Sequence, residues 1–137
     1  LRADFSRVED CRHAISETDR KFGRIDVLVN AGAMTDRGTI LDTSPELFDR
    51  MFSTNVRGPY FLMQEAIKLM IAKGIQGAIC NIGSISALAG QPFINAYCAS
   101  KGALTTLTAN TAFSVMGNRI RGRARADIQA EVPRRCG

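Results

Sequence analysis

The sequence predicts an α/β protein that contains part of a doubly wound parallel sheet with flanking helices. Two short, mostly apolar runs, residues 25–29 and 78–82, are typical of buried parallel strands. Three longer segments with helical periodicity lie before, between and after these runs. Because parallel strands need a helical crossover between them, this alternation favours a single parallel sheet.

The first helix is expected over residues 6–22, with the first strand directly after it. Ser6 and Glu9 have the spacing of a capping box, and Gly23 suits a C-terminal cap. The first apolar run then follows. Since a strand that is apolar on both sides needs cover on both sides, we expect helices on both faces of the sheet.

The middle of the chain is predicted to be helical from residue 47 to about residue 73. Ser44 offers an N-cap, and Pro45 suits the first helical position. Gly58-Pro59 should break or kink this helix, because proline lacks the N–H that an interior position needs. The second apolar run follows, and a last helix is expected over residues 96–116.

Length and composition indicate one ordinary globular domain. The chain has 137 residues, of which 45% are hydrophobic and 23% charged, and this balance excludes a disordered chain. No apolar run reaches the roughly 18 residues that a membrane-spanning helix needs, so no membrane partner is expected. Four widely spaced cysteines and one histidine offer no metal site and favour reduced thiols in a cytoplasmic protein.

Basic residues are concentrated near the end of the chain. Residues 117–137 carry a net charge of +4 out of the formal +5. An arginine-rich tail can hold nucleic acid through phosphate contacts, but no aromatic residue lies between these arginines to stack on bases. We therefore do not expect a nucleic-acid partner. We expect a folded domain over 1–121 and an irregular basic tail over 122–137, where few residues favour a strand.

Polar side chains with chemical potential follow both predicted strands and open the last helix. Asn30 and Gly32 follow the first strand, and Ser84 follows the second. Ligands of open α/β sheets bind at the carboxyl ends of the strands, so these residues should converge. Tyr97 and Lys101 are four residues apart and share a helical face. A nearby ammonium favours an ionised phenol, so this pair could exchange a proton with an alcohol or carbonyl oxygen.

Four motifs occur along the chain in a fixed order. They are Asn30-Ala31-Gly32, Asn55-Val56-Arg57-Gly58, Asn81-Ile82-Gly83-Ser84 and Tyr97-Cys98-Ala99-Ser100-Lys101. Together they resemble the short-chain dehydrogenase/reductase family, over about residues 1–121. The resemblance implies a soluble Rossmann-like domain that transfers hydride between NAD or NADP and a small-molecule alcohol/carbonyl pair.

The resemblance implies roles for four catalytic side chains. Tyr97 corresponds to the acid/base, and Lys101 to the residue that facilitates its ionisation and binds the nicotinamide ribose. Ser84 corresponds to the donor that holds the substrate oxygen. Asn55 corresponds to the residue that holds a water of the proton relay.

The resemblance also implies a cofactor-binding set that includes this tyrosine and lysine. Asn30, Ala31 and Gly32 correspond to the segment that supports the sheet and borders the adenosine ribose, and Asp4 to an acidic residue near the adenine. Structural alternatives stay open. Asn30 is structural in either case, and Asp4 could be a loop acid.

Two further structural alternatives concern the catalytic set. Ser84 could simply cap a turn, and Asn55 could be a residue of the helix kink. The resemblance also implies a homo-oligomer, dimer or tetramer, through the helices around 44–73 and 96–116.

The resemblance leaves parts of the family fold without a counterpart. The strand and glycine-rich turn that hold the pyrophosphate would precede Leu1, and the next apolar strand is not found after residue 121. The choice between NAD and NADP, the substrate and the reaction direction therefore stay open. Two alternatives to an oxidoreductase are an inactive fragment that keeps helices for self-association and, more weakly, nucleic-acid binding through the arginines.

Overall fold

The computed structural model describes residues 1–125 and contains, within them, a three-stranded parallel sheet and four α-helices. In chain order the elements are α1 (Val8–Phe22), β1 (Val27–Asn30), α2 (Pro45–Phe52), α3 (Gly58–Ala72), β2 (Ala78–Ile82), α4 (Asn95–Ser114) and β3 (Arg121–Arg125). None of the described helices has the length and apolar character needed to cross a membrane.

The strands lie in the order β1-β2-β3, and both pairs are parallel. Val27 pairs with Ala78, and Ala78 pairs in turn with Arg121. This arrangement of a parallel sheet with flanking helices is Rossmann-like, as predicted. It leaves β1 at one edge of the described sheet and β3 at the other.

Within the described residues, the helices pack on one face of the sheet. The side chain of Asn81 on β2 points to this face, where its Nδ2 lies 3.1 Å from Met63 Sδ on α3 and donates to Thr108 Oγ1 on α4 at 2.7 Å. Buried apolar side chains form the core between this face and the helices. They come from α1, α3, β2 and the neighbouring segments. They are Cys11, Ile15, Ile25, Leu62, Met63, Ala66, Met70, Ile79, Val115 and Ile120.

The opposite face of the sheet, which we call the outer face, is open in the described part of the chain. Val27 and Val29 on β1 are 59% and 55% exposed. The expectation of helices on both faces is therefore not met within these residues. An apolar run indicates that a strand suits burial on both faces of a sheet. The described helices, however, cover only one face.

The start of α1 differs from the predicted capping box. The N-cap is Arg7, which makes no side-chain cap, and the helix begins at Val8 instead of Ser6. The backbone N–H of Ser6 donates instead to Asp4 Oδ1 at 2.9 Å, so a turn closed by a carboxylate takes the place of the capping box. At the other end, Gly23 adopts a left-handed conformation with φ of 73°, which confirms the predicted C-cap.

The long middle helix is interrupted close to the predicted position. Ser44 caps α2 by accepting a hydrogen bond from the Leu47 N–H at 3.2 Å, as expected. A π-helical turn, Ser53–Arg57, then joins α2 to α3, which begins with Gly58-Pro59. A π turn widens the helix by one residue per turn, and such turns often mark functional sites.

The expectation of an irregular chain from residue 122 is wrong as far as residue 125. β3 forms because its backbone pairs with β2, and its arginines alternate with the small residues Gly122 and Ala124. A Cβ on Gly122 would lie 3.0 Å from Ala112 Cβ, so small residues let α4 pack closely on this strand. Strand propensity depends on such context more than on residue type. Residues 126–137, the rest of the predicted tail, lie outside the described residues.

Candidate active site

An open cleft of about 850 Å³ lies at the carboxyl end of the sheet. Ser84, two residues after β2, and Tyr97, in the first turn of α4, both line it. The loop after β1 and the segment before α4 supply the remaining walls, with Thr35, Asp36, Arg37, Ile85, Ser86, Gln91, Pro92, Phe93 and Ile94. A hydroxyl and a phenol predicted to act together therefore share one cleft.

Tyr97 and Lys101 lie together on α4, as their spacing predicts. The Lys101 Nζ lies 5.7 Å from the centre of the Tyr97 ring, within the range of a cation–π contact. Lys101 is only 3% exposed, and its ammonium donates to the Ile82 carbonyl at 2.7 Å. The end of β2 thus fixes a buried positive charge beside the phenol.

Ser84 makes hydrogen-bonding contacts with the short turn that follows it. Its Oγ accepts a hydrogen bond from the Ser86 N–H at 3.2 Å and caps a 3₁₀ turn, Ile85–Ala87. The same Oγ lies 2.7 Å from Ser86 Oγ. The sequence analysis did not single out Ser86, because its role depends on this turn and not on a motif.

Asn55 is buried in the π-helical turn, with 1% of its surface exposed. Its Oδ1 accepts from the Met34 N–H at 2.7 Å, while its Nδ2 donates to the Met34 carbonyl at 2.8 Å and to Ser100 Oγ at 3.0 Å. Ser100 in turn donates to the Tyr97 carbonyl at 2.8 Å. Asn55 therefore joins the loop after β1 to the helix that carries Tyr97. Ser100 was missed in the sequence analysis, although it stands beside Lys101 in the motif.

The Asn30 side chain lies on the helix-covered face of the sheet and does not line the cleft. Its Nδ2 donates to Asn81 Oδ1 at 2.7 Å, and the residue is 6% exposed. This bond ties β1 to β2 where both strands end. Asn30 is buried by this contact between the strands, while its neighbours Ala31 and Gly32 are exposed.

A second cleft, of about 600 Å³, brings Asp4 and Gly32 together. Thr54 from the π-helical turn also lines it. Hydrogen bonds from Ser6, its side chain first and its backbone second, lower the pKa of the Asp4 carboxyl below its ordinary value. The loop after β1 connects the two clefts, because Gly32 lines one and Thr35 the other.

Metal chemistry has no support in the described part of the chain. Among residues 1–125, no group of three His, Cys, Asp or Glu side chains could hold a metal ion. Cys11, Cys80 and Cys98 are free thiols, and burial raises the pKa of the Cys11 thiol. At the first cleft, the Ser84 and Tyr97 hydroxyls can donate and accept hydrogen bonds.

Comparison with known proteins gives a family match over nearly the whole described chain. The family model for short chain dehydrogenase matches residues 1–124. Galactitol 2-dehydrogenase of Agrobacterium fabrum is 31% identical over 116 residues, which are 85% of this chain and 45% of that protein. The 2-(R)-hydroxypropyl-CoM dehydrogenase of Xanthobacter autotrophicus is 36% identical over 136 residues, which are 97% of this chain and 54% of that protein.

Solved structures agree with these sequence matches. ElxO with NADP bound superimposes with a TM-score of 0.87 and 35% identity over 92% of this chain and 51% of its own. The 4-hydroxyisoleucine dehydrogenase complexed with NADH gives a TM-score of 0.86 and 29% identity, over 92% of this chain and 56% of its own. The chain thus spans about half the length of the relatives it matches.

Proposed function

This chain belongs to the short-chain dehydrogenase/reductase family, and we propose that it interconverts a small-molecule alcohol and a carbonyl compound with NAD or NADP. The observation that carries the proposal is the shared cleft of Ser84 and Tyr97, with the buried Lys101 ammonium beside the phenol. The named relatives are dehydrogenases, and two similar structures contain NADH or NADP.

The residues present fit parts of a nicotinamide dinucleotide. The Lys101 ammonium and the Tyr97 hydroxyl are donors suited to a ribose, and Asp4 and Gly32 line a second cleft that suits an adenosine. Within residues 1–125, no glycine-rich turn at a helix N-terminus suits the pyrophosphate. When bound, the dinucleotide supplies or accepts the hydride.

Tyr97 would move the proton that accompanies this hydride. In carbonyl reduction its hydroxyl donates a proton to the substrate oxygen, and in alcohol oxidation its phenolate accepts one. The Lys101 ammonium, fixed by the Ile82 carbonyl, stabilises the negative charge on the phenolate oxygen. The Ser84 hydroxyl donates to the same substrate oxygen and stabilises charge that develops there.

Asn55 would support the proton relay through its position. Its Nδ2 protons are directed to the Met34 carbonyl and to Ser100, and its Oδ1 accepts from the Met34 N–H. An amide oxygen has two lone pairs, so Oδ1 can accept one further bond, from a water. We therefore propose this second lone pair as the position of the relay water.

A cofactor-dependent assay tests the proposed function. For oxidation, the 137-residue chain would be given NAD or NADP with a panel of polyols and hydroxy acids. For reduction, it would be given NADH or NADPH with the corresponding carbonyl compounds. The absorbance of the nicotinamide would be followed in both directions. We expect turnover with at least one pair, and we expect Tyr97→Phe to lower kcat/KM by roughly 10²- to 10⁴-fold. A Tyr60→Phe variant, altered at an exposed tyrosine of α3, is the matched control.

Two results of this assay would contradict the proposal. One is that no pair of substrates shows cofactor-dependent turnover. That result would favour the alternative of an inactive chain that keeps its helices for self-association. The other is a Tyr97→Phe variant as active as the wild type. Circular dichroism of each variant separates loss of chemistry from loss of fold.

The same family relationship supports a homo-oligomer through α3 and α4. A groove between these helices is lined by Tyr60, Ile67 and Leu107, and Phe113 at the end of α4 is 77% exposed. Removing such apolar surface from water would favour self-association. Light scattering after size exclusion tests this, and a monomer at every accessible concentration would contradict it.

A second candidate function is nucleic-acid binding through the arginines of β3. Arg121, Arg123 and Arg125 are all exposed and alternate along the strand, so their side chains share the outer face. Such a row can contact phosphates. Salt-sensitive binding to random-sequence DNA or RNA would support this function, and its absence at low salt would remove it.

A further inference from the structure

We infer that Ser86 is a positioning residue that fixes the Ser84 hydroxyl as a hydrogen-bond donor toward the substrate oxygen, an inference that rests on the proposed function. Ser86 follows Ser84 by two residues in the turn after β2. Its hydroxyl is within 2.7 Å of the Ser84 hydroxyl, and the residue is 4% exposed. Ser86 is buried within the 3₁₀ turn, whereas Ser84 is half-buried and caps it.

The hydrogen-bond capacity of Ser84 carries the argument. A serine hydroxyl has two acceptor lone pairs and one proton to donate. The Ser86 N–H occupies one lone pair of Ser84 at 3.2 Å. Either hydroxyl of this 2.7 Å contact could donate, and with Ser86 as the donor the second lone pair of Ser84 is occupied too.

In that arrangement Ser84 retains only its proton for a further bond. Since Ser84 lines the cleft together with Tyr97, this proton is available to an oxygen bound there. A carbonyl or alkoxide oxygen accepts hydrogen bonds and matches such a donor. One side chain, Ser86, thereby orients the Ser84 proton before the substrate arrives.

Three substitutions at position 86 separate this role from simple packing. Ser86→Ala removes the hydroxyl, Ser86→Cys keeps a group of similar size that is a weak donor, and Ser86→Thr keeps the hydroxyl. We expect the first two to lower kcat for carbonyl reduction by roughly tenfold with little change in KM, because the lost bond acts mainly in the transition state. Ser86→Thr should retain most of the wild-type kcat.

A second readout does not depend on turnover. In crystal structures at high resolution, the Ser84 side chain should occupy one rotamer in the wild type and more than one in Ser86→Ala. Ser114→Ala, which removes an exposed hydroxyl at the end of α4, is the matched control and should leave both kcat and the Ser84 rotamer unchanged.

The outcomes separate this inference from the proposed function. If the wild type turns over none of the substrates, the proposed function is contradicted. The Ser84 rotamer would still test whether Ser86 orients the Ser84 hydroxyl. A wild-type rotamer of Ser84 in Ser86→Ala would overturn the inference. If the wild type is active, a kcat equal to the wild-type value in both Ser86→Ala and Ser86→Cys would also overturn the inference.

Discussion

Asn81 is a buried amide that contacts three of the elements around the candidate site. Its Oδ1 accepts from Asn30 on β1, and its Nδ2 donates to Thr108 on α4 and contacts Met63 on α3. One side chain with 0% exposure thus joins two strands and two helices. A polar network in a low-dielectric interior stabilises one arrangement strongly, but only while every member keeps its partner.

Substitution of Asn81 tests the importance of this network. Asn81→Leu leaves the buried Asn30 and Thr108 without this partner, and we expect a loss of about 2–4 kcal/mol in the free energy of unfolding. Urea denaturation measures the change. Asn110→Ala, at an exposed amide of α4, should change stability by less than about 0.5 kcal/mol. Equal effects of the two substitutions would contradict this account of the network.

Asp4 gives a pH-dependent prediction. The hydrogen bonds from Ser6 lower its pKa in the folded protein below the value in the unfolded chain. Its contribution is therefore present above the unfolded pKa and is lost as the pH falls through the folded pKa. We expect Asp4→Ala to be less stable than the wild type near about pH 6, with the gap closing toward about pH 3. Asp4→Asn, which keeps an acceptor, should show a smaller gap, and a gap that widens on acidification would refute the prediction.

The chain segment before α1 passes close to the first turn of α3. A Cβ on Gly58 would collide with the Phe5 carbonyl oxygen, which is backbone and cannot move aside as a flexible side chain could. The glycine therefore serves close packing here, and its backbone has ordinary helical angles. The π-helical turn that ends directly before Gly58 carries Asn55, so close packing at Gly58 also helps to place Asn55.

A pair of glycine substitutions tests this packing. Gly58→Ala should lower the free energy of unfolding by about 1–3 kcal/mol through overpacking. Gly117→Ala, where no atom lies within 4 Å of the new methyl, should have an effect below about 0.5 kcal/mol. Thermal or urea unfolding of both variants measures the difference. A Gly58→Ala variant as stable as Gly117→Ala would disprove the close contact.

Elements with strong local signals could be predicted from the sequence, and those that depend on distant partners could not. The Ser44 cap and the Gly23 cap follow from neighbouring residues and are present. The capping box at Ser6 failed because Asp4 competes for the same backbone N–H. β3 was missed because its strand depends on pairing with β2, which its residue types do not indicate.

The candidate site divides in the same way. The proximity of Tyr97 and Lys101 follows from helical spacing and is present. The bond from Asn55 to Ser100 joins residues 45 positions apart, so only the folded chain brings them together. The Ser84–Ser86 contact arises from a 3₁₀ turn that no pattern in the sequence signalled.

At the scale of the whole molecule, the outer face leaves apolar side chains of β1 exposed. Exposed valines on β1 lie at an unpaired edge of the described sheet. An open, apolar edge strand is a template for intermolecular pairing. We therefore expect this chain to aggregate through β1 when it is heated.

Charged substitutions on β1 test this expectation. Val29→Lys should reduce light scattering on heating, because lysine on an edge strand opposes pairing. Leu41→Lys, at a loop residue that is 92% exposed, should have a smaller effect. If both substitutions reduce scattering equally, net charge and not the edge strand controls aggregation.

Support of hydride transfer is the role that we propose for Tyr97 and Ser84, which share one cleft, and for Lys101, which lies beside the Tyr97 ring. The most direct measurement follows deuterium into the alcohol product from reduced NAD or NADP in which both hydrogens at C4 of the nicotinamide are deuterium. We predict deuterium at the carbinol carbon with the wild type, and label transfer slowed at least roughly 10²-fold with Tyr97→Phe. Oxidation of the labelled dinucleotide without label in the product, or undiminished transfer by Tyr97→Phe, would contradict the claim.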